Sequence, residues 1–318
     1  MTMQVNKMRE QSVLIEELEK LTSEGRNPST MEIDLLETGA ILQKINEEDQ
    51  KVANAVKAVL PKVELAVNQV VKAFNVGARL IFIGAGTSGR LGILDSVECV
   101  PTFSVPSEQV VGIIAGGTGA IFKAVEGAED SILLAVEDLK KVKLTSNDVV
   151  VGLAASGRTP YVISAMEYAK KLGSTTVCVT CSPNTPLIDA VDIAICPVVG
   201  AEALTGSTRL KSATAQKMVL NMLTTASMIK MGKSYQNLMV DVNASNEKLH
   251  ARAVRIVMQA TGCDYDKAKL ALDEANNSAK IAILLVFTGL SLEEGTLLLE
   301  KNDGFLRLAI EEAKSVSH

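Results

Sequence analysis

The chain has no tryptophan, only two histidines, and aromatic side chains at 3% of its 318 positions. Few aromatic faces means few places for bases to stack, which argues against a single-stranded nucleic-acid partner. Positive charge is not in excess either: the net charge is -5 and the pI is near 5.3, whereas nucleic-acid binders carry a basic stripe. Histidine is the commonest general acid and base. With only His250 and the terminal His318, acid–base work falls to carboxylates, and a His-rich zinc site is nearly excluded. The longest apolar runs, such as Ile281–Phe287, fall well short of the ~18 residues of a membrane span. The N-terminus has no apolar h-region of a secretory signal; it reads as an amphipathic helix around Gln11–Leu21. Both absences lead us to expect a cytoplasmic protein with no membrane partner. The five cysteines are odd in number and scattered, so they do not form a disulfide framework. Cys178 and Cys181 make a CxxC in and just after a strand-like run, but a second CxxC with metal spacing is missing. These thiols are expected to be buried or incidental.

What is present is a large apolar fraction, 47%, beside an ordinary charged fraction of 22%. Residues to about 60 read as helical, interrupted at Ser23–Thr30 by Gly25, Pro28 and several cap formers. Helical periodicity then runs from Met31 to about Asn75. The middle alternates: short apolar runs at Arg79–Gly84, Val110–Ala115, Asp148–Ala154, Thr175–Thr180 and Ile193–Val198 read as strands, with helices at Ile121–Lys141, Thr159–Lys171 and Lys211–Met231. Near-continuous apolar strands separated by helices predict a doubly wound α/β fold with a parallel sheet covered on both faces. Beyond about Asn243 the strands stop, and Asn246–Ala260, Tyr265–Ala275, Ser278–Phe287, Ser291–Lys301 and Gly304–Lys314 read as short helices.

In such a sheet, ligands sit beyond the carboxyl ends of the strands. The segment Gly84–Arg90 (GAGTSGR) follows a strand and enters a helix. Its glycines let the backbone approach a ligand closely. The helix start offers N–H groups and a positive dipole end to an anion, and Thr87 and Ser88 add hydroxyls. Gly86, Thr87, Ser88, Gly89 and Arg90 are therefore candidate ligand contacts. A GxGxxG triplet also fits a dinucleotide, but that reading wants an acidic ribose contact at the end of the next strand. That strand ends in Gly116 and Gly117, which favours a sugar phosphate. A second loop, Ala154–Pro160 (AASGRTP), repeats the logic with Ser156, Gly157, Arg158 and Thr159. Each hydrogen bond to a charged phosphate contributes roughly 1.5–3 kcal/mol, so three or four fix a sugar phosphate firmly. A third segment, Gly200–Lys211, supplies Glu202, Ser207, Thr208, Arg209 and Lys211, as part of the pocket or as a solvated capping segment. A fourth, Gly116–Asp130, ends with Glu126, Glu129 and Asp130. A helix start explains Asp130 through the dipole, while Glu129 stays open between that and a functional role. Asp95 and Glu98 are three apart, on one face of a helix. A Glu within an apolar run is costly to bury unless paired, and Glu98 reads equally as functional or as surface. Glu247 and His250 line a pocket or merely pack.

The stretches GAGTSGRLGILDSVECVPTF, VEGAEDS, AASGRTPYVI, GAEALTGSTRLKSATAQK and NLMVDVNASNEKLHARAVRIV resemble the N-acetylmuramic acid 6-phosphate etherases. The resemblance runs from SEGRNPSTMEID through the helical tail. It implies a sugar isomerase (SIS) domain, flavodoxin-like, at 61–235, after an N-terminal helical segment at 1–60 and before a C-terminal helical subdomain at 236–318. The family is similar to the glucokinase regulatory proteins, which bind phosphosugars without turning them over. Those carry two SIS domains; this chain has room for one, which favours the enzyme.

The resemblance implies a carbon–oxygen lyase in amino-sugar catabolism and peptidoglycan recycling. The D-lactyl ether of N-acetylmuramic acid 6-phosphate is cleaved by elimination then hydration, with no metal or organic cofactor. Matched by motif, Glu98 is the proton donor and Glu129 the second catalytic glutamate, expected to be the base. To act as an acid near neutral pH, Glu98 must keep its proton, which apolar Val97, Cys99 and Val100 are expected to favour. Arg90, Arg158, Arg209 and Lys211 are the candidates for meeting the substrate's phosphate and carboxylate, Arg being suited to bidentate contacts. SIS domains generally pair, so a homodimer is implied, and Ser23–Thr30 would be able to reach a neighbouring subunit's pocket. A phosphosugar-sensing regulator and an aldose–ketose isomerase are the competing functions.

Overall fold

The computed structural model describes residues 22–241 and 247–316; the helix expected around Gln11–Leu21 and His318 lie outside them. The chain forms two compact units. One comprises the chain up to Asp95 together with Val110–Leu223; the other comprises Ser96–Gln109 and the chain from Thr224 onward.

In the first unit, short 3-10 turns give way to helices α1 (Thr38–Asp49), α2 (Lys51–Ala58) and α3 (Leu60–Asn75). The single helix expected from Met31 is thus broken at Gln50 and Val59. Pro61 explains the second break, since proline is tolerated in the first turn of a new helix and not in the interior of an old one. Then come β1 (Leu80–Gly84), the start of α4 (Gly86–Phe103), β2 (Val110–Ile114), α5 (Gly119–Phe122), α6 (Ile132–Lys141), β3 (Val149–Leu153), α7 (Pro160–Leu172), β4 (Thr175–Val179), α8 (Pro186–Asp189), β5 (Ile193–Ile195) and the start of α9 (Lys211–Lys230). The five strands are parallel in the order β2-β1-β3-β4-β5, which is the flavodoxin-like doubly wound arrangement. All five residues of β1 and of β3 are buried, as strands covered on both faces must be.

Helix α7 shows how local sequence sets an element. Pro160 sits in its first turn, and Gly173 ends it in the left-handed region at φ 95°. Its buried face, Tyr161, Val162, Ala165, Met166 and Ala169, packs with Ile81, Ile83, Leu139 and Val150. Tyr161 reconciles its hydroxyl with burial by donating to Asp138 Oδ2 at 2.8 Å. The long helix expected at Ile121–Lys141 is instead two. Gly127 takes φ 73°, and Ser131 starts α6 by accepting from the Leu134 N–H.

The second unit holds the C-terminal part of α4, a two-stranded antiparallel hairpin of β6 (Ser234–Tyr235) and β7 (Leu238–Met239), and helices α10 (Glu247–Thr261), α11 (Tyr265–Glu274), α12 (Ala279–Thr288), α13 (Leu292–Lys301) and α14 (Leu306–Val316). The five tail helices match the sequence expectation; the hairpin was not foreseen, because two-residue strands carry no periodicity. Apolar α12 is the core helix of this unit, with Ala279, Ala282, Ile283 and Leu284 wholly buried. Buried Lys280 is balanced by Asp241 at 2.7 Å. No single helix among the described residues is long and apolar enough to cross a membrane.

Candidate functional site in the sheet unit

The chain leaves β1 for β2 on one side and later returns to β3 on the other, so the carboxyl ends of β1 and β3 flank a crevice of the kind that binds ligands in open sheets. The turn after β1 needs two glycines. A Cβ on Gly84 would sit 2.9 Å from Gly89 N, and one on Gly89 would sit 2.7 Å from Gly84 O. Helix α4 begins at Gly86, so most of the expected loop is already the first helical turn. Gly86 and Thr87 are exposed, Ser88 and Arg90 are half-buried, and Gly89 is buried. The leading N–H groups of such a turn have no intrahelical acceptor and face outward to an anion.

Beside this turn lies a cavity of about 200 Å³ lined by Ala85, Gly86, Arg90, Ala115, Val125, Glu126, Gly127 and Glu129, among others. The exposed Glu129 stands on the 3-10 turn Ala128–Asp130. Arg90 acts here as a latch: Nε donates to Ile121 O at 2.8 Å and Nη2 to Ala120 O at 2.7 Å, holding the segment that leads to Glu129.

The second loop is tied from behind. Gly157 has φ 66°, and a Cβ there would lie 2.2 Å from Thr185 Oγ1. Thr180 Oγ1 and Cys181 N both donate to Ala155 O, and Leu187 N donates to Gly157 O. Ser156 Oγ accepts from Arg158 N at 3.3 Å, which curls the loop. Thr159 precedes Pro160 as the N-cap residue of α7.

In the third segment the capping reading is seen at Glu202. Glu202 is wholly buried and caps α9, accepting from Lys211 N, Ser212 N and Ser212 Oγ at 2.9, 3.0 and 2.8 Å. The Lys211 ammonium is buried against Glu48 Oε2 at 2.6 Å. Glu202 and Lys211, read from sequence as part of the pocket or of a capping segment, are both buried and paired within the protein, as a buried charge must be. Burial alone would raise the Glu48 pKa. Hydrogen bonds from Lys211, Lys51, Ser29 and Asn27 outweigh it and lower the carboxyl to about 2. The N-terminal turn joins this cluster: Asn27 Nδ2 donates to Ala201 O, Thr30 Oγ1 to Ala203 O, and Ser29 Oγ to Glu48 Oε1. Asn27–Thr30 is thus anchored on its own chain. Ser207 and Thr208 are half-buried and Arg209 is exposed.

Asp95 is buried and paired with Lys217 at 3.1 Å, whereas Glu98 is exposed. Of the neighbours expected to shield Glu98, only Cys99 is buried; Val97 is 60% and Val100 38% exposed. The apolar cover expected for Glu98 is not formed locally, since residues one and two away on a helix point elsewhere. His250 is half-buried with Nε2 3.9 Å from Asp273 Oδ1, and Glu247 is exposed. Burial pushes the Cys178 and Cys181 thiols up to about 12 and Cys196 to about 11, so these cysteines are inert at neutral pH.

Sequence reasoning missed Glu48 and Gln216. Gln216, wholly buried on α9, accepts from Ser88 Oγ. Gln216 finds Ser88 128 positions away, and although Glu48 has Lys51 three residues on, its burial follows from Lys211 163 positions away.

Three family models match the chain: the N-terminal SIS domain of glucokinase regulatory protein over residues 62–170, the SIS domain over 134–226, and the C-terminal lid domain of glucokinase regulatory protein over 236–280. A Colwellia psychrerythraea protein named N-acetylmuramic acid 6-phosphate etherase is 61% identical over 305 residues, 96% of this chain and 99% of that one. Relatives named N-acetylmuramic acid 6-phosphate etherase 2 in Vibrio cholerae, and N-acetylmuramic acid 6-phosphate etherase in Rhizobium rhizogenes, are 59% and 60% identical. They cover 94% and 93% of this chain, and 97% of each relative is matched. With identity of this order over nearly the full length, the chain belongs to the N-acetylmuramic acid 6-phosphate etherase family.

Proposed function

We propose that this chain cleaves the D-lactyl ether of N-acetylmuramic acid 6-phosphate, releasing N-acetylglucosamine 6-phosphate and D-lactate. A base takes the proton on carbon 2 of the open-chain aldehyde. The electron pair left behind forms the carbon 2–carbon 3 double bond as the lactyl oxygen leaves carbon 3, taking a proton from an acid. Water then adds at carbon 3, and a proton returns to carbon 2. Two positioned carboxyls supply this chemistry, each typically contributing ~10²–10⁴-fold. Glu129 is the base and Glu98 the proton donor; the helix starts at Gly86 and Pro160, with Ser156–Thr159, hold the phosphate.

The observation that carries the reading is that Glu129 lines the same cavity as Gly86 and Arg90, in a chain so close to proteins named as etherases. A homodimer completes the proposal: a second copy seated over Val97 and Val100 would give Glu98 its apolar cover, and a stable, active monomer in sedimentation would sink this part. The cytoplasm is the matching setting. The matches to glucokinase regulatory protein models favour a non-catalytic sensor as the competitor. Incubation with N-acetylmuramic acid 6-phosphate decides. Release of D-lactate supports the etherase, binding without turnover the sensor, and sugar-phosphate interconversion without lactate an isomerase.

A further inference from the structure

Arg90 commits one edge of its guanidinium to backbone. Nε donates to Ile121 O at 2.8 Å and Nη2 to Ala120 O at 2.7 Å. Both carbonyls belong to α5, a helix of four residues. The last carbonyls of a helix have no donor within it, and a planar fork of N–H groups suits two neighbouring ones. A helix this short does not hold itself together, because its nucleus is costly to form. Beyond Ile121 the chain gains little from burial: Phe122–Gly127 are six exposed residues in succession, Phe122 at 86%, before Ala128 is buried. Val125 rests on Gly116, where an added Cβ would come within 2.9 Å of the Val125 Cβ. Glu126 and Glu129 stand on or just after this exposed run, and both line the cavity with Arg90. The run is thus fixed at its start by Arg90, with the Gly116 contact and buried Ala128 further along.

We propose that Arg90 is a positioning residue: it sets the place of Glu129 by clamping the end of α5 to α4, and it does not itself hold the substrate's phosphate. This rests on the etherase reading above and adds how its base is kept in register with the phosphate-binding turn.

The test compares Arg90→Ala and Arg90→Lys with the unsubstituted protein. Each change is expected to lower kcat for D-lactate release about tenfold or more, since a small misplacement of a reacting group is costly. KM, and the affinities for N-acetylglucosamine 6-phosphate and inorganic phosphate, should stay within about threefold. Lysine keeps the charge but not the fork, so it should not restore the rate. Hydrogen exchange should quicken about tenfold at the Lys123, Ala128 and Asp130 amides, which bond within this segment, and stay unchanged in β1 and β3. A loss of affinity or a rise in KM in step with the fall in kcat overturns the proposal, because Arg90 would then be a substrate contact. So does recovery by lysine, or exchange that quickens equally in β1 and β3. Should Arg90→Ala fail to fold, Arg90→Lys carries the same readouts. If the unsubstituted protein releases no D-lactate, the etherase reading fails there, and the exchange pattern still decides whether Arg90 holds the segment.

Discussion

Lys211 Nζ lies 2.6 Å from Glu48 Oε2, with both side chains no more than 3% exposed, across 163 positions of sequence. The pair fastens α1 to the start of α9, beside the Glu202 cap and the Asn27–Thr30 turn. Removing Lys211 leaves the buried Glu48 carboxylate with Lys51 and Ser29 as its remaining partners. Lys211→Met is expected to destabilise the protein by about 1.5–3 kcal/mol, the worth of the charged hydrogen bond lost, read as a lower urea midpoint. The double change Lys211→Met with Glu48→Gln should recover part of the loss.

The same carboxylate makes a pH prediction. Its folded pKa, about 2, lies below the ordinary 4.5. Glu48 therefore contributes stability that is fully present above about pH 4.5 and is lost as pH falls toward 2. The contribution is on the order of 3 kcal/mol. Unfolding free energy measured from pH 6 down should slope downward through this window, and Glu48→Gln should flatten the slope.

At Gly157 the backbone is left-handed, at φ 66°, and the space for a Cβ is already filled by Thr185 Oγ1. Gly157→Ala is expected to cost about 2 kcal/mol or more and to raise KM for the phosphosugar. Thermal unfolding and steady-state kinetics on the same preparation check both. Thr185→Ala in that background should relieve part of the clash.

For the two glutamates, Glu98→Gln and Glu129→Gln should each lower kcat by ~10²–10⁴-fold while affinity for N-acetylglucosamine 6-phosphate stays close to that of the unsubstituted protein. D-lactate release gives the rate and titration the affinity. A Glu98→Gln protein that turns over at the original rate would remove Glu98 from the mechanism.

Much of the fold was legible because it is written locally. The five apolar runs became the five strands, with ends shifted by no more than three residues, as at β5, which stops at Ile195. The tail helices also matched, since caps such as Ser278 and Ser291 announce themselves. The break inside Ile121–Lys141 was not foreseen, because apolar spacing continues across Gly127 while its positive φ does not show in the pattern.

The sequence by itself determined that a parallel sheet would form, that glycine- and hydroxyl-rich turns would follow β1 and β3, and which glutamates the family motif marks. Tertiary structure alone decided which of these polar side chains find partners within the protein. Arg90 latches the Ala120 and Ile121 carbonyls, Lys211 neutralises Glu48, Glu202 caps a helix, and Gln216 accepts from Ser88. The physical reason is range. Strand and helix propensities act over a few neighbouring residues, whereas the partner that satisfies a buried charge or amide is chosen by packing across the whole unit. The glycines of the turn that opens α4 are therefore readable as what lets Gly84 and Gly89 approach each other closely. Only the fold shows that the Ser88 hydroxyl donates to the buried Gln216 amide.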